Sequence, residues 1–132
     1  MAKILIVDDE EGDRLIAQAI LARAGHETFF AHDGEDALRQ YALQGIEVVL
    51  TDLQMPEVHG FELISVLRDF REPPALVVMS GTGQFQLHMA EALGAKFTLR
   101  KPLDDKLLVD AIERALADRA AEMDAAREHE ED

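Results

Sequence analysis

Three short apolar runs, Lys3–Val7, Val48–Thr51 and Leu76–Met79, constrain this chain most. Each is rich in β-branched and aliphatic residues with no polar residue alternating, which is how strands covered on both faces of a parallel sheet read. Thr28–Phe30 and Phe97–Arg100 add two weaker strand signals. Amphipathic stretches of about 10 to 15 residues separate the five runs, so the chain reads as five successive βα units.

Punctuation agrees with that periodicity. Gly25, Gly45 and Gly94 each follow a helical stretch, where a left-handed residue closes a helix, and Asp33-Gly34 is a turn signal before the second helix. Leu15, Ile16, Ala19 and Ile20 in the first helix, and Leu107, Leu108, Ala111, Ile112, Ala115 and Leu116 in the last, predict one buried stripe each. Gln84 to Leu93 is read as a fourth helix without a clean apolar face.

At 132 residues the sequence has room for one core, and its 27 acidic against 13 basic residues give a formal charge of −14. Such a surface repels nucleic-acid phosphates and anionic lipid alike. Without cysteine, the chemistry falls to oxygen and nitrogen groups. The apolar run at the N-terminus is too short for a signal peptide or a membrane span, so a soluble, cytoplasmic protein is expected. The organisation expected is one domain over residues 1–118, then an acidic segment over 119–132 that is either a solvated helix end or a frayed tail.

Ligands of open parallel α/β sheets bind beyond the carboxyl ends of the strands, and here four of those ends are polar. The first strand delivers Asp8 and Asp9, the third Asp52, the fourth Ser80 before Gly81-Thr-Gly83, and the fifth Lys101-Pro102. If the strand order is 2-1-3-4-5, the first and third strands are neighbours and Asp8, Asp9 and Asp52 converge. Like charges that close need compensation. Mg²⁺ suits the inventory, since it takes oxygen ligands and typically one or two carboxylates plus a phosphate oxygen. Lys101 offers a point charge to a phosphate and Ser80 a hydroxyl donor. Asp52, alone at its strand end, reads as the nucleophile of a phosphoryl transfer, whereas the Asp8-Asp9 pair is better suited to holding metal. The plainer alternative, that Asp8 and Asp9 cap the first helix and Ser80 and Thr82 the fourth, is outweighed for the aspartates by Asp52, Ser80 and Lys101 at the same edge, while Ser80 can do both jobs. The five histidines show no metal-ligand spacing and read as surface or loop residues, and no G-x-S-x-G elbow, Walker loop or dinucleotide fingerprint is present.

Ile4-Leu-Ile-Val-Asp-Asp-Glu10, Thr51-Asp-Leu-Gln-Met-Pro-Glu-Val-His-Gly60, Met79-Ser-Gly81, Gly94-Ala95 and Arg100-Lys-Pro102, in that order and spacing, resemble the response-regulator receiver family over about Lys3 to Leu116. The resemblance implies a flavodoxin-like, doubly wound (βα)5 three-layer sandwich in the order 2-1-3-4-5. It further implies phosphorylation on Asp52, Mg²⁺ held by Asp9, Asp52 and the backbone carbonyl of Gln54, and Asp8 acting through a metal-bound water. Ser80 and Lys101 would bind the phosphoryl group, with the Lys101–Pro102 peptide cis. The phosphodonor implied is a sensor histidine kinase or a histidine phosphotransfer protein, and the output a contact with a downstream protein partner; a homodimer is left open.

Two positions depart from the family pattern. Thr98 stands where receivers commonly carry an aromatic, with Phe97 one place earlier on the opposite face of the strand, so switching is expected to rest on Ser80 and its loop more than on Thr98. His59 replaces a common Asp after the Met-Pro turn. The expectation is a stand-alone receiver that is not an enzyme acting on a separate substrate. The competing readings are a receiver cut from a longer transcriptional regulator and an Asp-nucleophile phosphatase. The first needs a basic helix-turn-helix after Leu116, and the second a D-x-D pair after the first strand.

Overall fold

The computed structural model describes residues 1–53, 60–81 and 84–131. Among these residues five strands and five helices alternate: β1 (Lys3–Val7), α1 (Glu11–Arg23), β2 (Glu27–Ala31), α2 (Gly34–Gln44), β3 (Val48–Asp52), α3 (Gly60–Arg68), β4 (Ala75–Ser80), α4 (Gln84–Ala92), β5 (Phe97–Arg100) and α5 (Asp105–Glu131). The strands are all parallel in the order β2-β1-β3-β4-β5, the flavodoxin-like topology expected. Winding reverses between β1 and β3, which opens a crevice beyond their carboxyl ends.

The strand period of two divides the core. Ile4, Ile6, Val48, Leu50, Val77 and Met79 face Ala17, Ile20 and Leu21 of α1 and Leu108, Ala111 and Ile112 of α5. On the opposite face, Leu5, Val7 and Val49 meet Ala37, Leu63 and Leu67, beside the stacked rings of Tyr41 and Phe70 at 5.2 Å. Val78 and Leu53 meet Ile64, Leu87 and Ala90 beneath α3 and α4. Each fully buried Leu or Ile contributes about 1.5–3 kcal/mol of transfer free energy, so these layers hold the sheet edge rigidly.

The buried stripe of α1 differs from the one its apolar residues suggest. Leu15, Ile16 and Ala19 are exposed, and the helix buries Ala17, Ile20 and Leu21 instead. Polar contacts at its start set the rotation: Arg14 Nη1 donates to the Asp8 carbonyl at 2.6 Å and Asp13 reaches Lys101, so both point toward the sheet edge. Positions 13, 17, 20 and 21 then share the inward face, and Leu15 and Ile16 turn outward. On α5 Leu107 is likewise exposed while Leu108 is buried. His26 is also less of a surface residue than expected, being half-buried with Nδ1 accepting from the Ala2 amide at 3.1 Å.

Helix ends follow their signals. Asp33 caps α2 by accepting from the Asp36 amide at 2.7 Å, a contact worth about 1 kcal/mol, and Gly45 closes that helix at φ 67°. Gly94 follows α4 at φ 105°, with the Arg68 guanidinium lying against it. α5 continues through the acidic segment as a helix. Lys96 anchors its outer half, donating to Asp118 Oδ2 at 3.0 Å and Glu122 Oε1 at 2.8 Å, and Arg119 Nε donates to the Pro73 carbonyl at 3.2 Å. Among the described residues no helix is long and apolar enough to cross a membrane.

Candidate functional site

Parallel pairing carries β1 and β3 side by side from Ile4–Val48 to Val7–Thr51, so the residues that follow each strand emerge together. Asp8, Asp9 and Asp52 each present a carboxylate oxygen within 4.8 Å of the others. Asp8 and Asp52 are buried at the foot of the crevice, whereas Asp9 is exposed at its mouth. The aspartate set that the sequence singled out is therefore brought to one place, with two members withdrawn from solvent and one facing it.

Local bonds fix the two inner aspartates. The Asp8 amide donates to the Ala31 carbonyl at 3.1 Å, and its Oδ1 accepts from the Glu10 amide at 3.0 Å. Asp8 therefore does some of the turn work that the capping alternative envisaged, with its second oxygen still available to the site. Asp52 ends β3, where the Thr51 hydroxyl donates to its carbonyl at 3.1 Å and the next amide, Leu53 N, donates to the Met79 carbonyl at 3.0 Å.

Lys101 arrives from β5. Its amide extends the ladder by donating to the Ser80 carbonyl at 3.0 Å, and the Lys101–Pro102 peptide is cis, as the resemblance implies. The side chain is only 14% exposed, and Nζ donates to Asp8 Oδ2 at 2.7 Å, Asp13 Oδ2 at 2.8 Å and Asp52 Oδ2 at 3.1 Å. Burial alone would lower the lysine pKa. The hydrogen bonds to Asp13 and Asp8 and the charges of Asp52 and Asp8 outweigh it and hold the ammonium above its ordinary range. The lysine therefore stays charged at neutral pH, with its ammonium against Asp52 Oδ2.

Ser80, buried at the end of β4, donates from Oγ to Gln86 Oε1 of α4 at 3.0 Å. Thr98 is half-buried on β5 in register with Val78, while Phe97 and Leu99 pack on the α1/α5 face, so the two faces of β5 are used as the alternation predicts. Gln54, Thr82, Gly83 and His59 lie outside the described residues.

Sequence reasoning missed Asp13 and Gln86. Asp13 offered one signal, an acid five residues after Asp8 in the first turn of an amphipathic helix, but its partner is 88 residues away. Gln86 gave none.

A parallel sheet with reversed winding, three carboxylates at the reversal and a lysine bonded to two of them form a polar crevice at the sheet edge, the arrangement that the receiver resemblance implies. The chain belongs to the response regulator receiver domain family, whose family model matches residues 4–113. It is 30% identical over 115 residues to sporulation initiation phosphotransferase F of Bacillus subtilis, covering 86% of this chain and 93% of that protein. It is 31% identical over 116 residues to transcriptional regulatory protein CpxR of Escherichia coli, covering 88% of this chain but 50% of that one. Among solved structures, a response regulator receiver domain protein from Clostridium thermocellum superposes with a TM-score of 0.83 at 28% identity, over 92% of this chain and 98% of that one. The chemotaxis response regulator CheY4 of Vibrio cholerae superposes at 0.78 with 28% identity, over 88% and 99%.

Proposed function

We propose that this receiver works as a phosphorylation switch in two-component signalling or a phosphorelay, with Asp52 as the phosphoacceptor. The observation that carries this reading is the three-way contact of Lys101 with Asp52, Asp8 and Asp13 above a cluster of three carboxylate donors. An Asp52 carboxylate oxygen attacks the donor phosphorus; the new O–P bond forms as the bond to the donor's leaving group breaks, and that group departs with the electron pair and takes up a proton. Lys101 neutralises charge on the transferred group, and Ser80 Oγ exchanges its bond to Gln86 for a phosphoryl oxygen.

The donor set fits Mg²⁺: oxygen ligands only, with two inner carboxylates and one at the mouth whose oxygens lie within 4.8 Å of one another. Asp9 and Asp52 would hold the ion together with the backbone carbonyl of Gln54, and Asp8 would act through a bound water. When bound, the ion neutralises the acidic cluster and supplies positive charge to the incoming phosphoryl oxygens.

The phosphodonor is a sensor histidine kinase or a histidine phosphotransfer protein, and the output is contact with another protein in the cytoplasm rather than turnover of a separate substrate. Breaking the Ser80–Gln86 bond couples the site directly to α4, which supports a response centred on β4 and α4, with Thr98 too short to sweep the cavity an aromatic would. An Asp-nucleophile phosphatase is disfavoured because the nucleophile stands after β3 without a D-x-D pair after β1. Incubation with acetyl phosphate and Mg²⁺, read by intact-protein and peptide mass spectrometry, should add one phosphoryl group at Asp52 in wild type and none in Asp52→Asn. Stable labelling of Asp8 or Asp9 instead would overturn the assignment.

A further inference from the structure

An ammonium has three N–H donors, and all three of Lys101 are committed, to Asp8, Asp13 and Asp52. A phosphoryl group arriving on Asp52 needs one of those donors, so a present partner must give way. The three are unequal. Asp8 is fully buried and also held by the Glu10 amide, and Asp52 carries the group itself. Asp13, on the first turn of α1, has a side chain 39% exposed and recovers hydration on release at the lowest cost.

We infer that Asp13 is a positioning residue that competes for Lys101, slowing phosphoryl entry and leaving the lysine for solvent once Asp52 is phosphorylated. This rests on the proposed role of Asp52. In the resting protein Asp13 draws the ammonium 2.8 Å from its own oxygen, nearer than the 3.1 Å to Asp52, and adds an anion beside the ammonium that an incoming phosphoryl group must engage. On phosphorylation, new acceptor oxygens with roughly −1.5 to −2 charges outbid the single carboxylate. Asp13 then turns outward on the helix that displays Leu15 and Ile16, so the surface beside the site changes its charge pattern with the phosphorylation state.

The experiment compares initial rates of Asp52 modification by acetyl phosphate with Mg²⁺ in wild type, Asp13→Asn, Asp13→Glu and Glu11→Gln. Glu11 is exposed on the same helical turn, is not one of the three carboxylates on Lys101, and loses the same charge in its variant. Asp13→Asn should accelerate modification about three- to tenfold, Glu11→Gln less than about twofold, and Asp13→Glu should return the rate toward wild type. The amide resonances of residues 11–14 should move on beryllofluoride addition in wild type and much less in Asp13→Asn. Equal rates in wild type and Asp13→Asn, or equal acceleration by Glu11→Gln, would overturn the inference while leaving Asp52 as acceptor. Failure of wild type to label at Asp52 would remove both.

Discussion

Replacing Asp9 by Asn tests the electrostatics of the crevice, because its effect on stability should change sign with the cation. Asp9 is the exposed member of the cluster and lies within 4.8 Å of carboxylate oxygens on Asp8 and Asp52. At that separation a pair of like charges repels by about 3.5 kcal/mol at an effective dielectric of 20 and about 0.9 kcal/mol in bulk water. Exposure places Asp9 toward the lower figure, and the nearby Lys101 ammonium offsets part of two such repulsions. Removing the charge with an isosteric amide should therefore stabilise the metal-free protein by about 1 kcal/mol, or about 4 °C in Tm for a chain of this size.

With Mg²⁺ at about 100 times its Kd, binding adds about 2.7 kcal/mol to the wild type and clearly less to Asp9→Asn, which has lost an anionic ligand. Differential scanning calorimetry in EDTA and then in Mg²⁺ should place the variant above wild type in the first buffer and below it in the second. If Asp9→Asn melts lower in EDTA, the cluster is not under repulsion. If Mg²⁺ raises both proteins equally, the ion does not bind there.

Gly94→Ala should destabilise by about 1–2 kcal/mol in urea unfolding, because φ 105° strains any residue with a Cβ, and that Cβ would stand 2.8 Å from Arg68 Cζ. The arginine end can swing away, so Arg68→Ala should fail to rescue the variant; full rescue would locate the cost in the contact instead. The Lys96 ammonium is held above its ordinary value of 10.5 by hydrogen bonds to Glu122 and Asp118 and the charge of Glu122. A raised folded-state pKa means that its contribution is fully present below that ordinary value and is lost as pH rises through the higher one. Lys96→Met should therefore lower Tm slightly near neutrality at low salt, with the gap closing in high salt and at strongly alkaline pH; a gap insensitive to both would mean the lysine acts through its aliphatic stem.

What could be read from sequence divides along physical lines. Strands β1, β3 and β4 announce themselves because burial on both faces demands uninterrupted apolar residues, and the ends of such strands are where Asp8, Asp52 and Ser80 were sought. The rotation of α1 was not legible. Leu15 and Ile16 are as apolar as Ile20 and Leu21, and the choice between faces falls to Asp13 and Arg14, whose partners are set by the assembled edge. Asp13 and Gln86 escaped for the same reason: the first meets a residue from the other end of the chain, and the second is chosen by where α4 settles over Ser80. The acidic segment left helix and tail open because Ala favours a helix while a run of like charge opposes one. Lys96 and Arg119 supply contacts that favour the helix.

The division of the sheet into two faces also orders events as the chain leaves the ribosome. The face beneath α2, α3 and α4 has all its helices by Ala92, yet the other face must wait for α5, which packs on β3, β4 and β5. Until Leu108 and Ile112 emerge, Val48, Leu50, Val77 and Met79 have only α1 beside them. A nascent chain paused after β5 would carry a bare apolar strip across the middle of its sheet, the kind of surface that recruits chaperones or finds another unfinished chain.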